Sequence, residues 1–151
     1  MRLNVRPVNS GVMPLTTNNV PSNAIPRQIE GLSDIVAVAA GFRHSLALTA
    51  SGQVYSWGGK ITEGKNGPEA IKNKELILIG GLPKISKIYA GRDYSLAVSE
   101  DGKLFGWGAN NSHQLSPDKT TFFAQPVQIM LPGSVVDVAA GQGFVLAAIS
   151  K

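Results

Sequence analysis

The stretch VAVAAGFRHSLALTASGQVYSWG, residues 36–58, decides the fold. It contains a β-rich run that ends at Gly41, a second run at 45–49 and a third at 54–57. Ser51-Gly52 between the last two runs is a hairpin signal. The stretch therefore predicts three short antiparallel strands joined by tight turns.

The same pattern recurs twice further along the chain. Gly41, Gly91 and Gly141 stand at the same place in three copies, so the period is 50 residues with no insertion. The second copy keeps the hairpin signal as Asp101-Gly102 and the aromatic strand that follows it. A fixed period of this length indicates a repeat architecture.

Each repeat is predicted to form four short strands. The first unit has strands at 34–40, 45–49 and 54–57. After a polar loop, residues 76–79 form a fourth short run, and its counterpart in the next unit is 126–130. Four strands per ~50 residues is the size of a propeller blade. We therefore predict an all-β fold, a partial β-propeller of about 2.5 to 3 four-stranded blades.

The residues from Val36 to Gly58 resemble the regulator of chromosome condensation repeat family. The pattern V-x-V-A-A-G-x-x-H-S-L-A-L-T-x-x-G-x-V-Y-S-W-G is almost intact there, recurs with substitutions at 88–108, and is truncated at 136–149. The resemblance implies a β-propeller, usually of about seven blades, that acts as a binding platform. It does not carry the nucleotide-exchange activity of the founding member, because the matching residues are scaffold.

The sequence divides into an extended N-terminal arm, 1–24, and propeller repeats, 25–151, with units at about 25–75, 76–125 and an incomplete 126–151. Because about 2.5 units cannot close a ring, we expect another chain or the arm to supply strands. Residues 2–8 alternate apolar and polar side chains like a strand. This segment either donates a strand, with 27–30 as a fourth, or lies on a neighbouring protein.

Composition excludes several classes of protein. The 151 residues include no cysteine and only two histidines, so thiol chemistry and a metal site are not expected. There is no long apolar run or secretory signal, which predicts no membrane partner and a cytoplasmic or virion location. The net charge of +4 comes from scattered residues, so nucleic-acid contact is permitted but not favoured.

No residue is predicted to act in catalysis or to bind a cofactor, a metal or a small molecule. His44 shares its repeat position with Tyr94 and Phe144, which indicates a packed aromatic slot, and Trp57 and Trp107 are predicted to lie between blades. These positions and the three glycines form the structural signature of the repeat: Gly41, His44, Trp57, Gly91, Tyr94, Trp107, Gly141, Phe144.

The sequence favours a structural or interaction protein over an enzyme. Its partners are predicted to be other copies of itself, other proteins of an assembly, or both. The candidate assembly contacts are Arg2, Leu3, Val5, Arg6, Phe122, Phe123, Val145 and Ile149. Phe122 and Phe123 are either tucked under a blade or exposed as a contact patch. A cysteine-free chain with an arm suggests, by analogy, a phage virion or tail component; the alternative is a binding regulator of the nucleotide-exchange or chromatin type.

Overall fold

The computed structural model describes residues 28–58 and 76–151, and these residues form ten strands in three antiparallel sheets. The first sheet contains β1 (Ile35–Ala40), β2 (His44–Thr49), β3 (Val54–Gly58) and β4 (Ile77–Leu78). The second contains β5 (Ile85–Ala90), β6 (Tyr94–Ser99), β7 (Leu104–Ala109) and β8 (Phe122–Ile129). The third contains β9 (Ser134–Ala140) and β10 (Val145–Ser150).

Neighbouring strands follow one another in sequence within every sheet. This simple up-and-down order confirms the predicted all-β partial propeller. The first sheet ends at Leu78 and the second at Ile129, so each sheet extends past the corresponding sequence unit. A 50-residue repeat can be divided at any point, and the hydrogen bonds group each fourth strand with the three strands before it.

The first strand of each sheet carries a β-bulge at the same repeat position. Val36, Ser86 and Val136 are the extra residues, each lying between two successive pairs of the register. A bulge bends a strand and increases its twist. The three sheets therefore share the bend as well as the strand order.

The hairpin glycines join each sheet to the next. Gly52 and Gly102 have φ values of +84° and +78°, a conformation that suits glycine. The carbonyl of Gly52 accepts a hydrogen bond from Ile85 N at 3.0 Å, and that of Gly102 accepts one from Val135 N at 2.9 Å. The same backbone bond thus recurs 50 residues later and fixes the spacing between sheets.

Two apolar cores lie between the sheets. The core between the first and second sheets consists of Leu46, Leu48, Val54, Ile85, Ile88, Ala97 and Trp107. The core between the second and third sheets consists of Tyr94, Leu96, Val98, Leu104, Leu115, Val135 and Val138. All six residues of β6 are buried because both faces of the second sheet are covered.

Some sequence predictions fall outside the described residues. These are the arm at 1–24 with its candidate contacts Arg2, Leu3, Val5 and Arg6, the proposed strand donation by 2–8, and the polar loop at 59–75. The corresponding loop of the second sheet is described. There, β8 begins at Phe122 and not at 126, because Phe122 and Phe123 pair with Ala109 and Gly108 of β7.

Candidate interaction surface

The repeated glycine seats the aromatic residue three positions later. Gly41, Gly91 and Gly141 each donate a backbone hydrogen bond to that residue's carbonyl at 2.9 Å, which closes a two-residue turn. A Cβ atom at Gly91 would lie 2.1 Å from the Tyr94 ring, and the other two sites are similarly crowded. The Gly-x-x-aromatic spacing therefore reflects a ring that packs directly against a backbone without a side chain.

The seated side chain reaches the next sheet. His44 Nε2 lies 2.9 Å from Ser95 Oγ, and the bond can run in either direction. The hydroxyl of Tyr94 lies 2.8 Å from the carbonyl oxygen of Gly141 and 2.7 Å from that of Phe144, so it donates its one proton to either. These side chains belong to inter-sheet contacts, a role that the sequence pattern did not reveal.

The third sheet exposes the positions that the first two sheets bury. Leu46 and Leu96 are fully buried, whereas Leu146, at the same repeat position, is 63% exposed. Phe144 is 59% exposed, although its counterpart Tyr94 is buried. We call the surface formed by Val136, Phe144 and Leu146 the open face. It is an exposed apolar patch on the side where each earlier sheet receives its neighbour.

The candidate contacts Val145 and Ile149 lie on the opposite side of β10 from the open face. Both pack against the core between the second and third sheets. The strand alternates half-buried and exposed residues, and Leu146 is one of the exposed set. The sequence alone does not show which alternate residues of β10 face outward. In the structure Phe144 and Leu146 are exposed, so these two residues replace Val145 and Ile149 as candidate contacts.

The other residues singled out in the sequence lie in strands, in a core between sheets or in a turn. Phe122 and Phe123 are half-buried in β8, and Trp107 is buried in the core between the first two sheets. Trp57 is partly buried on β3. His113 lies in an exposed turn, where its backbone N–H donates to Asn110 O at 3.0 Å. Residues 28–58 and 76–151 contain no cluster of acidic or histidine side chains able to hold a metal ion.

The three turns at the ends of the first strands meet around a shallow depression lined by residues 40–42, 90–92 and 140–142. Phe42 is 54% exposed there, with the guanidinium carbons of Arg92 and Arg43 at 5.1 and 5.5 Å from its ring centroid. Cation–π contacts of this kind hold the two guanidinium groups over the ring. The depression is an exposed surface feature beside the turns. Residues 28–58 and 76–151 contain no helix that is long and apolar enough to cross a membrane.

Burial lowers the pKa of His44 below 6.5, although the Asp93 charge and the Tyr94 carbonyl act in the opposite direction. The unfolded chain therefore takes up a proton at a pH where folded His44 stays neutral. We expect the contribution of His44 to stability to be complete above pH 6.5 and to fall as the pH drops below it.

Urea unfolding at pH 7 and at about pH 5.5 measures this loss. His44→Gln keeps a hydrogen-bonding side chain but does not titrate, so its stability should change less between the two pH values. Asn111→Gln changes an exposed residue and keeps both histidines, so this control should retain the wild-type pH dependence. Equal pH dependence in His44→Gln and the wild type would contradict the assignment.

Comparison with known proteins identifies similar repeats. Two family models described as "Regulator of chromosome condensation (RCC1) repeat" match the chain, one at residues 35–59 and 85–114 and the other at 101–148. Together these matches cover more than half of the chain. A search of the curated proteins found no match.

Solved propeller structures share the fold. Human WBSCR16 is 25% identical with a TM-score of 0.71, over 89% of this chain and 36% of that one. Prp20p from Saccharomyces cerevisiae is 22% identical with a TM-score of 0.68, over 85% and 35%. Yeast RCC1 (Prp20) bound to Kap60 is 24% identical with a TM-score of 0.65, over 81% of this chain and 32% of that one. The chain therefore spans about a third of the length of each of these structures.

Proposed function

Because this chain belongs to the regulator of chromosome condensation repeat family, we propose that it is a non-enzymatic interaction protein, a run of propeller blades that forms a subunit of a larger assembly. The observation that carries the proposal is the open face. Two of its residues, Phe144 and Leu146, occupy the repeat positions through which the first sheet contacts the second and the second contacts the third.

The chemistry of the open face favours a further blade as its occupant. In the two internal contacts, the facing sheet presents aliphatic residues of its first strand, Ile85 and Ile88 in one case and Val135 and Val138 in the other. Leu146 and Phe144 offer the matching apolar surface, and burying each such side chain contributes about 1.5–3 kcal/mol. A blade of a second copy, or of another protein built from these repeats, meets this requirement.

The proposal extends to the kind of assembly. We favour a particle such as a phage virion or tail. The support is an analogy with small, cysteine-free proteins that have an N-terminal arm, because residues 1–24 of this sequence lie outside the repeats and the sequence contains no cysteine.

A binding regulator of the nucleotide-exchange or chromatin type is the second candidate. The structure of Prp20p is described together with its binding to Gsp1p and histones, and the structure of yeast RCC1 shows it bound to Kap60. At this level of identity, the support for this chain is the shared fold. A nucleotide-exchange assay and DNA binding at two salt concentrations separate this candidate from an assembly subunit.

The first test changes the open face without disturbing the core. Leu146→Asp should abolish self-association, because it places a charge in the centre of the proposed contact and would leave it unpaired there. At a protein concentration where both proteins are monomeric, the thermal midpoint should stay within a few degrees of wild type, since Leu146 is exposed. Light scattering during size-exclusion chromatography measures the mass of both proteins.

Met130→Asp is the matched control, because Met130 is 79% exposed and lies outside the third sheet. It should associate like the wild type. An associated Leu146→Asp protein would contradict docking through the open face. A monomeric wild type would exclude self-association and leave docking onto a different protein, which a pull-down with Leu146→Asp as the negative control would test.

A further inference from the structure

The outer strands of the first and second sheets enclose a cleft of about 320 Å³. One wall is formed by Ile77 and Leu78 of β4, and the other by Trp107 of β7 with Phe122 and Phe123 of β8. The lining also contains three polar residues at the inner end, His44, Asp93 and Ser95. A largely apolar cavity of this size with a few convergent polar groups has the features of a small-ligand site.

The equivalent place between the second and third sheets is filled. Leu115, from the loop before β8, is 4% exposed and packs in that core. Its Cδ2 would lie 2.7 Å from a Cβ atom at Gly106, so the leucine rests directly on the glycine. Ser56 holds the repeat position of Gly106 in the first sheet, and it lines the cleft. The counterpart of Leu115 is position 65, which lies outside the described residues.

The polar end of the cleft has unused hydrogen-bonding capacity. Asp93 Oδ1 is buried and has no hydrogen-bond partner among the residues the structure describes. Its other oxygen, Oδ2, lies 3.3 Å from Arg92 Nε. His44 and Ser95 already bond to each other at 2.9 Å. The Asp93 carboxylate therefore places a negative charge at this end of the cleft, and a cationic N–H donor in the cleft makes a charge-assisted pair with it.

We propose that this cleft binds an organic cation with an apolar body, whose ammonium or guanidinium group pairs with the carboxylate of Asp93. The apolar body lies between Ile77 and Trp107, against the phenylalanines of β8. A free arylalkyl amine and a lysine or arginine side chain of a partner share this chemistry. The site is separate from the open face, so the assignment does not depend on the proposed assembly.

The experiment titrates the whole chain with three probes and follows chemical shifts in two-dimensional NMR spectra, including the Trp107 indole signal. The probes are 2-phenylethylamine, its uncharged analogue 2-phenylethanol, and Nα-acetyl-lysine amide. We expect the amine to bind at least about tenfold more tightly than the alcohol, since the two differ in the charged donor. Tighter binding of the lysine derivative than of the amine would identify a partner side chain as the source, and the reverse order would identify a free amine.

Two substitutions test the residues. Asp93→Asn keeps the shape of the side chain and should reduce the affinity for the amine about tenfold, to the level of the alcohol. Glu100→Gln is the matched control, because Glu100 is exposed and pairs with Lys84 at 2.9 Å. It should bind like the wild type.

Ser56→Leu keeps the proposal testable if Asp93→Asn folds poorly. The leucine fills the cleft as Leu115 fills the equivalent space, so both the amine and the alcohol should lose binding while the thermal midpoint does not fall. The proposal is overturned if the amine and the alcohol bind equally, if Asp93→Asn leaves amine affinity unchanged, or if Ser56→Leu still binds both. Absence of shifts in the wild type at millimolar probe also overturns it.

Discussion

Replacing Gly91 with alanine is expected to destabilise the protein by about 3–5 kcal/mol, which is a large part of the stability of a domain of this size. The new methyl group would lie 2.1 Å from the Tyr94 ring, so the ring must leave its seat. Tyr94 is 1% exposed, and its hydroxyl bonds to the third sheet. The substitution therefore combines overpacking with the loss of a buried inter-sheet hydrogen bond.

Chemical denaturation measures this effect. Gly80→Ala is the control, because a Cβ atom at Gly80 meets nothing within 4 Å and the residue has no positive φ. It should leave the free energy of unfolding unchanged or slightly raised. If Gly91→Ala were as stable as Gly80→Ala, the ring would not need the bare backbone, and the physical basis given for the repeat motif would be wrong.

Truncating Leu96 to alanine should cost about 2–5 kcal/mol, because the side chain is fully buried between the second and third sheets. The repeat provides an unusually close control. Leu146 has the same residue type at the same repeat position, but it is 63% exposed. Leu146→Ala should change the free energy of unfolding of the isolated chain by no more than about 0.5 kcal/mol.

The comparison uses urea titrations at a protein concentration where the chain is monomeric. Self-association would bury Leu146 and add its contribution to the apparent stability. Equal losses in the two variants at low concentration would show that the third sheet is covered within one chain, which would remove the basis for docking through the open face.

Much of the fold could be predicted from the sequence because local signals agree with the period. The three glycines and the two hairpin turns fixed the repeat, and the inner strands lie within one or two residues of the predicted ranges. The bulges at Val36, Ser86 and Val136 have no local signature, since they depend on the partner strand. The early start of β8 at Phe122 likewise depends on pairing with β7, which the differing loop sequences concealed.

The sites were less predictable because they arise between repeats. The strand pattern of β10 showed two alternating faces, but only packing against the second sheet shows that Val145 faces inward and Leu146 outward. The bond from His44 to Ser95 joins residues about 50 positions apart. The cleft lies between the first two sheets, and Leu115 fills the equivalent space between the second and third sheets. No sequence rule places Leu115 against Gly106.

The repeated backbone bonds from Gly52 to Ile85 and from Gly102 to Val135 have a consequence for cooperativity. Each sheet is coupled to its neighbours by the same kind of bond, so stability approaches a sum of unit and nearest-neighbour contributions along a line. The second sheet has a neighbour on each side, whereas β10 of the third is alternately exposed along its whole length. The third sheet is thus expected to open before the second in local unfolding, and a partner that covers the third sheet stabilises it and, through it, the second.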